Sequence, residues 1–543
     1  MHTHAAHAVF RRTPDDTLVL SEELNSDFMS QEARQEKKPS DVMILGKGAS
    51  VSLTGGMAVQ VLSMAVQILM ARFLGAAAFG LYSVGWTLLR LLSCLTTLSL
   101  DAGVIYFGAR YLRFSATKFK GVVRESITIA FLSGATIGTA LYLAAPALAE
   151  HIFHKPDTVP IIRGFGPAFP LYGVLIVSGV VTRLSHRMQY AVYSNLAFTA
   201  SALIFFFVLF IRGWGVMSAV FSTVGGIAVG ALLSVGFIRL LFPATFVKEI
   251  RPQWVGGELL AYSAPLALSA LAASMLTLVD RLFIASFCTS ADVGVYQVAS
   301  QLSLFFVIAI GALDSIFSPM AADLHARGEN KRLGELYRVS TKWGLYMGAP
   351  AFLIILFAPA ELVECAYGSS YVQAATPLVI LSLGKLFLMT TAISGSVLLM
   401  TGRQKFVVAL PLAVLPIDLF LNFMLTRAFG LVGAAAATAI SAFILNAAAI
   451  IAVWKQIGIW PFGARYLKAA LAASVAFGFL YILRPIPIGI PALRLLITTV
   501  ISLAAFTGAL VVLGLDAEDW EILGLLQARC RWSVPQPSTD CGS

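Results

Sequence analysis

The sequence predicts an all-α integral membrane protein of about fourteen transmembrane helices. They form two six-helix bundles in parallel pseudo-repeat, followed by two additional C-terminal helices. Three observations predict it. Of 543 residues, 58% are hydrophobic and only 12% charged, with a mean hydropathy of +0.84, whereas soluble domains carry about 25% charged residues. So little charge cannot solvate a globule of this length, which excludes a soluble enzyme, a secreted disulfide scaffold and a free nucleic-acid binder. Apolar stretches of the roughly 20 residues that a bilayer crossing requires recur along the whole chain. Between them, Lys and Arg concentrate in alternate loops.

Residues 1–46 form a polar tail with five basic and eight acidic residues and no apolar h-region, so no cleavable signal peptide is expected. The tail, including His2, His4 and His7, reads as disordered and cytoplasmic. Spans near 49–71, 79–100, 122–147, 161–182, 193–211 and 214–238 make a first bundle within 47–240. Spans near 257–280, 293–318, 340–360, 374–400, 405–426 and 431–454 make a second within 241–460. Two more, near 466–483 and 492–514, occupy 461–515, and 516–543 reads as a second cytoplasmic tail. The weakest span is 161–182, where Gly164, Gly166, Pro167 and Pro170 crowd the start.

With both termini in the cytoplasm, the tails and even-numbered loops hold 28 of the 38 Lys and Arg, and the odd loops hold 8. Cytoplasmic loops are rich in Lys and Arg, so the formal net charge of +10 reports orientation in the cell membrane, not nucleic acid. The longest inner loops are 101–121 and 319–339, the second reading as an amphipathic helix lying at the cytoplasmic face. Cys94, Cys288, Cys365, Cys530 and Cys541 show no metal-ligand spacing and read as isolated thiols, with a Cys288–Cys365 bridge the alternative. His151 and His154 have helical spacing but no third ligand, so no metal site is expected. No phosphate-binding loop or other catalytic motif occurs, so the chain does not read as an enzyme.

A repeat is visible. Arg72-Phe-Leu-Gly75 followed by Gly80-Leu-Tyr82 parallels Asp280-Arg281-Leu-Phe followed by Gly294-Val-Tyr296. Copies six spans apart share an orientation, which makes the repeat parallel, about an axis along the membrane normal.

The stretch Lys47-Gly-Ala-Ser50 through Gly80-Leu-Tyr82 resembles the opening of the polysaccharide-export (O-antigen-type) flippases. So do Tyr262-Ser-Ala-Pro265, Val279-Asp-Arg281, Asp292-Val-Gly-Val-Tyr296, Phe317-Ser-Pro319, Tyr367-Gly368 with Tyr371, Leu399-Met-Thr-Gly-Arg403, and Asn422 with Phe429-Gly-Leu-Val-Gly433. The resemblance covers roughly 45–515. It implies the multidrug/oligosaccharidyl-lipid/polysaccharide flippase superfamily: two bundles around a cavity that opens alternately to either side. It also implies the turning of polyprenyl-(di)phosphate-linked sugars from the inner to the outer leaflet. The partners expected are that lipid-linked glycan, membrane lipid and glycan-assembly enzymes. Alternatives are a peptidoglycan-precursor flippase and a drug/cation antiporter of the same superfamily. From another class come a passive channel and a membrane glycan polymerase or acyltransferase, which needs a large outer loop that this chain lacks.

Two bases remain that topology does not explain, Arg90 in span 2 and Lys385 in span 10. A cation at the bilayer centre costs about 2.5–3.5 kcal/mol on insertion scales and normally faces protein or a watery cavity. For an anionic headgroup, they are the candidate ligands; the alternative is snorkelling or pairing with a neighbouring acid. Asp418, after Pro411 and Pro416 and one turn before Asn422, is a candidate H⁺ or Na⁺ coupling site or a counter-ion to Lys385 or Arg90. Asp101 and Asp314 read as helix ends or gate contacts. Asp280 with Arg281 reads as an interfacial ion pair or cap at the outer end of span 7. Arg72 reads as an interface anchor, with an outer-gate role the alternative. Gln60, Gln67 and Gln301 suit either sugar hydroxyls or helix–helix bonds, and Glu361 and Glu364 a solvated outer loop.

Overall fold

A computed structural model describes residues 41–185, 187–246, 252–391, 393–483, 489–514, 516 and 519, with residues 41–53 described by backbone alone. The tails expected at 1–46 and 516–543 lie almost wholly outside the described residues. Among the described residues every regular element is a helix. Eleven helices are long and apolar enough to cross a membrane, or twelve when a pair bent by 41° counts as one span.

The first half comprises α1 (Asp41–Thr97), α2 (Leu100–Phe114), α3 (Ala116–Ala147), α4 (Thr158–Phe165), α5 (Ala168–Arg183), α6 (Gln189–Ile211) and α7 (Val216–Leu241). Although nominally one helix, α1 is non-helical at Gly75 (φ 75°, ψ 169°). Gln60 and Arg90 line one cavity, yet a straight helix would separate them by about 45 Å. The chain therefore reverses at Gly75, where only glycine adopts that backbone cheaply. The bent pair is α4 and α5, broken at Gly166-Pro167 because proline supplies no amide to continue the helix. The stretch 101–121, expected as a loop, is instead helical: α2 continues from α1 after a kink at Leu98 and Ser99, both at positive φ.

The second half comprises α8 (Gly256–Phe287), α9 (Ser290–Ser303), α10 (Phe305–Ala326), α11 (Asn330–Phe357), α12 (Pro359–Tyr367), α13 (Ala375–Thr391), α14 (Ile393–Met400) and α15 (Gln404–Ile457). No separate amphipathic helix lies over 319–339. Instead, α10 runs through to Ala326 and α11 starts at Asn330, joined by a turn with Gly328 at φ +74°. The polar residues of that stretch are the ends of two long helices, tied by exposed Asp323–Arg327 and Glu329–Arg332 pairs. A second reversal, at Gly430, splits α15; a Cβ on Gly433 would overlap the Leu425 carbonyl.

The repeat extends beyond its sequence motif. Gly215 (φ 53°, ψ −130°) precedes α7, and Gly430 (φ 58°, ψ −131°) opens the second limb of α15. At equal spacing after them stand Thr223, bonded to Tyr82 at 3.1 Å, and Thr438, which shares Asp280 with Tyr296. The motif glycines meet each other. A Cβ on Gly80 would overlap the Ser290 carbonyl, and one on Gly294 the Ala76 carbonyl. Equivalent residues that touch are what an axis passing between the halves requires.

Two further helices, α16 (Ala464–Leu483) and α17 (Pro491–Val512), pack on α11. Ala469, Ala472 and Ala476 are fully buried against that neighbour cluster; small residues at helical spacing let helices approach where lipid provides no hydrophobic drive.

Candidate functional site

A cavity of about 500 Å³ lies between the halves, lined by α1, α5, α6, α8, α9, α13 and α15. Its size is within the range of small-molecule sites. Both unexplained bases reach it: Arg90 from the second limb of α1 and Lys385 from α13. Neither forms an ion pair among the described residues. The Arg90 guanidinium sits 6.0 Å from the Trp86 ring centre, a cation–π contact that leaves its N–H groups free.

A bonded network crosses the cavity near one end. Asp280 and Arg281, 3% and 6% exposed, form an ion pair at 3.2 Å. Asp280 also accepts from Tyr296 at 2.7 Å and Thr438 at 3.2 Å. Arg281 donates to Gln297 at 2.7 Å, to the Thr277 carbonyl at 3.0 Å, and to Ser300. Gln297 in turn donates to Gln67 of the first half at 3.2 Å. The expected ion pair is present, but it does not end the helix. Because α8 runs on to Phe287 instead of ending near 280, the pair lies two turns inside the helix and faces the cavity.

Beyond this network the halves are sealed. Besides the Gly80–Gly294 approach, Arg72 donates to the carbonyls of Cys365 (2.5 Å) and Ala366 (2.9 Å), at the C-terminus of α12. Tyr371 donates to the Ala71 carbonyl at 2.8 Å. Lys155, in the turn after α3, donates to Ala285 at 2.7 Å and Cys288 at 2.5 Å, at the C-terminus of α8. Cations at helix C-termini satisfy orphan carbonyls and complement the macrodipole. Burial lowers the pKa of Lys155, partly offset by Cys288 and Asp292. Arg72, itself exposed, thus ties the first half to the α12 carbonyls.

Asp418 stands behind the cavity wall, 1% exposed. Asn422 donates to its carboxylate at 3.1 Å. Asp418 Oδ2, Asn422 Oδ1 and Ser441 Oγ are buried without a hydrogen-bond partner among the described residues, and Ser441 also lines the cavity. Asp314 accepts from Ser318 one turn on, and Asp101 is exposed in the first turn of α2; neither lines the cavity. Asn195, Asn446 and Gln297 line it but escape sequence reasoning, whose only signal was carboxamides in apolar helices. Cys94, Cys288 and Cys365 are free thiols.

The model of the family described as polysaccharide biosynthesis protein matches residues 45–324, and that of the MatE family matches 265–424. A capsular polysaccharide biosynthesis protein, CapF, of Staphylococcus aureus is 23% identical over 34% of this chain and 47% of its own length. The probable low-salt glycan biosynthesis flippase Agl15 of Haloferax volcanii is 24% identical over 43% of this chain and 48% of its own. The chain thus spans about half the length of these curated relatives. Among solved structures, the lipid II flippase MurJ in an inward closed conformation aligns with a TM-score of 0.67 at 13% identity. That alignment covers 84% of this chain and 99% of MurJ. An inward-facing multidrug resistance MATE transporter gives 0.63 at 16%, covering 79% and 99%. These show a shared all-helical membrane-transporter fold. With more than half its residues inside the first match, the chain belongs to the polysaccharide biosynthesis protein family.

Proposed function

We propose that this multi-pass membrane protein is a transporter, not an enzyme. It carries a polyprenyl-(di)phosphate-linked oligosaccharide or polysaccharide precursor from the inner to the outer leaflet of the cell membrane by alternating access. The observation that carries the reading is the charge state of the cavity. Among the described residues Arg90 and Lys385 face it without ion pairs, whereas the one carboxylate lining it, Asp280, is already paired with Arg281. A phosphate losing hydration needs such donors and fixed positive charge. An organic cation would need a free carboxylate, which disfavours the antiporter alternative. In this reading the chain crosses the membrane fourteen times, with α1 and α15 each crossing twice and both termini cytoplasmic. Its partners are the glycan-assembly enzymes that load the carrier inside and take the glycan outside. The Asp418 niche takes an H⁺ or Na⁺ that couples the cycle to a gradient.

The test is charge reversal. Arg90→Glu and Lys385→Glu, each produced at wild-type level, are expected to cut surface glycan at least tenfold and to accumulate carrier-linked glycan on the inner leaflet. Wild-type export from both variants refutes the reading.

A further inference from the structure

Three carboxamides line the cavity alongside the two bases. At 1.5 Å per residue, Gln60, Asn195 and Asn446 lie about 22–27 Å along their helices from the turns at Gly75, Gly213 and Gly430. On the same measure Arg90 lies about 22 Å from Gly75, level with Gln60, and Lys385 about 15 Å from the start of α13. The bonded Gln67–Gln297–Arg281–Asp280 network lies nearer still, about 10–12 Å from the same end. The cavity therefore runs from a closed network, past Lys385, to a band in which Arg90 and the neutral amides stand at similar depth.

The amides are aimed and incompletely used. Asn195 and Asn446 each give one N–H to the carbonyl a turn back, at 2.9 and 2.7 Å. That fixes each side chain and leaves an oxygen and a second N–H for the cavity. Gln60 makes no hydrogen bond among the described residues. A carboxamide both donates and accepts, as does a hydroxyl, and being neutral it calls for no counter-charge. Three of them, on α1, α6 and α15 and so from both halves, surround a polyhydroxylated neutral group as a phosphate site would not.

We propose that Gln60, Asn195 and Asn446 form a sugar subsite that takes the hydroxyls of the residues joined to the phosphate. The phosphate is then held by Arg90 and Lys385, with the first sugars against the amides beside them. This placement rests on the flippase reading.

The test uses the purified full chain in lipid nanodiscs and two probes, undecaprenyl diphosphate and the same carrier bearing one N-acetylglucosamine. Wild type is expected to bind the sugar-bearing probe about tenfold more tightly, the equivalent of one or two net hydrogen bonds. The near-isosteric Asn195→Leu, and separately Gln60→Met, should bring that ratio toward one while affinity for the bare carrier, itself the check on folding, stays unchanged. Arg90→Gln should weaken both probes and keep the ratio. A wild-type ratio of one, or variants that keep the full ratio, overturns the subsite and leaves the flippase reading standing. Failure of either probe to bind wild type overturns both.

Discussion

Arg281 and Arg90 carry the same charge into the same cavity and have opposite capacities. Four of the five N–H donors of Arg281 are taken by Asp280, Gln297, Thr277 and Ser300, so it stiffens the wall. Among the described residues the Arg90 guanidinium meets the Trp86 face and no ion-pair partner. Asp418 poses the reverse problem. A buried carboxylate with one unbonded oxygen, its other oxygen taken by Asn422, and with the Ser441 hydroxyl beside it, keeps acceptor capacity that a proton or a sodium ion would fill. Removing the charge with Asp418→Asn should therefore uncouple transport. In proteoliposomes, wild-type flipping is expected to accelerate under an imposed pH or Na⁺ gradient, and the variant to respond to neither while still binding substrate. Wild-type rates indifferent to both gradients would remove the coupling role.

At the scale of elements, α8 is held at both ends by the first half. Glu125 of α3 accepts from the Val255 amide at 3.1 Å, where the helix starts, and Lys155 caps its far end. The polarity of each contact matches the dipole. The seal depends as well on Gly80 and Gly294, where any side chain would collide with backbone. Gly80→Ala is thus expected to part the halves at that end. Cys288 reports it: burial raises its thiol pKa, with Asp292 adding to the effect, so in the sealed state it is a slow nucleophile. Mass spectrometry after a membrane-impermeant maleimide should show Cys288 labelling severalfold faster in Gly80→Ala than in wild type. Equal rates would mean that the glycine contact does not hold the seal.

Much of this was legible beforehand. Spans announce themselves by length and apolarity, and Arg90 and Lys385 stand out because no loop explains a base mid-span. The place of Asp280 was not legible, since hydropathy ends span 7 at the first charge whereas the helix continues two turns. Nor were Asn195 and Asn446, because a carboxamide on an apolar helix serves a neighbour or a cavity equally well until the helices are assembled.

On the scale of the whole molecule, α16 and α17 dock chiefly on α11 of the second half, with Leu386 of α13 packed in the same cluster. A charge cluster fixes them there. Lys342 of α11, 1% exposed, pairs with Asp519 at 2.8 Å and Asp516 at 3.1 Å, and Lys468 of α16 pairs with Asp516 at 2.8 Å. Burial alone would raise the pKa of Asp516, but Lys468 and Lys342 hold it below the usual carboxylate range. A carboxylate with a depressed folded pKa contributes stability that is fully present above its unfolded value, about 3.9, and is lost as pH falls through the lower folded value. The anchor should therefore be indifferent to pH between about 5 and 8 and fail only below about 4. Lys342→Met strands Asp519 and leaves Asp516 with Lys468 alone, and removing one partner of a buried pair typically costs about 3–5 kcal/mol. Hydrogen exchange over 464–512 is expected to be flat from pH 8 to 5 in wild type, after correction for intrinsic rates. In Lys342→Met it should be faster throughout that range, with exchange in the first half unchanged. Acceleration spread equally over both halves would instead make the cluster part of the core that the two halves share.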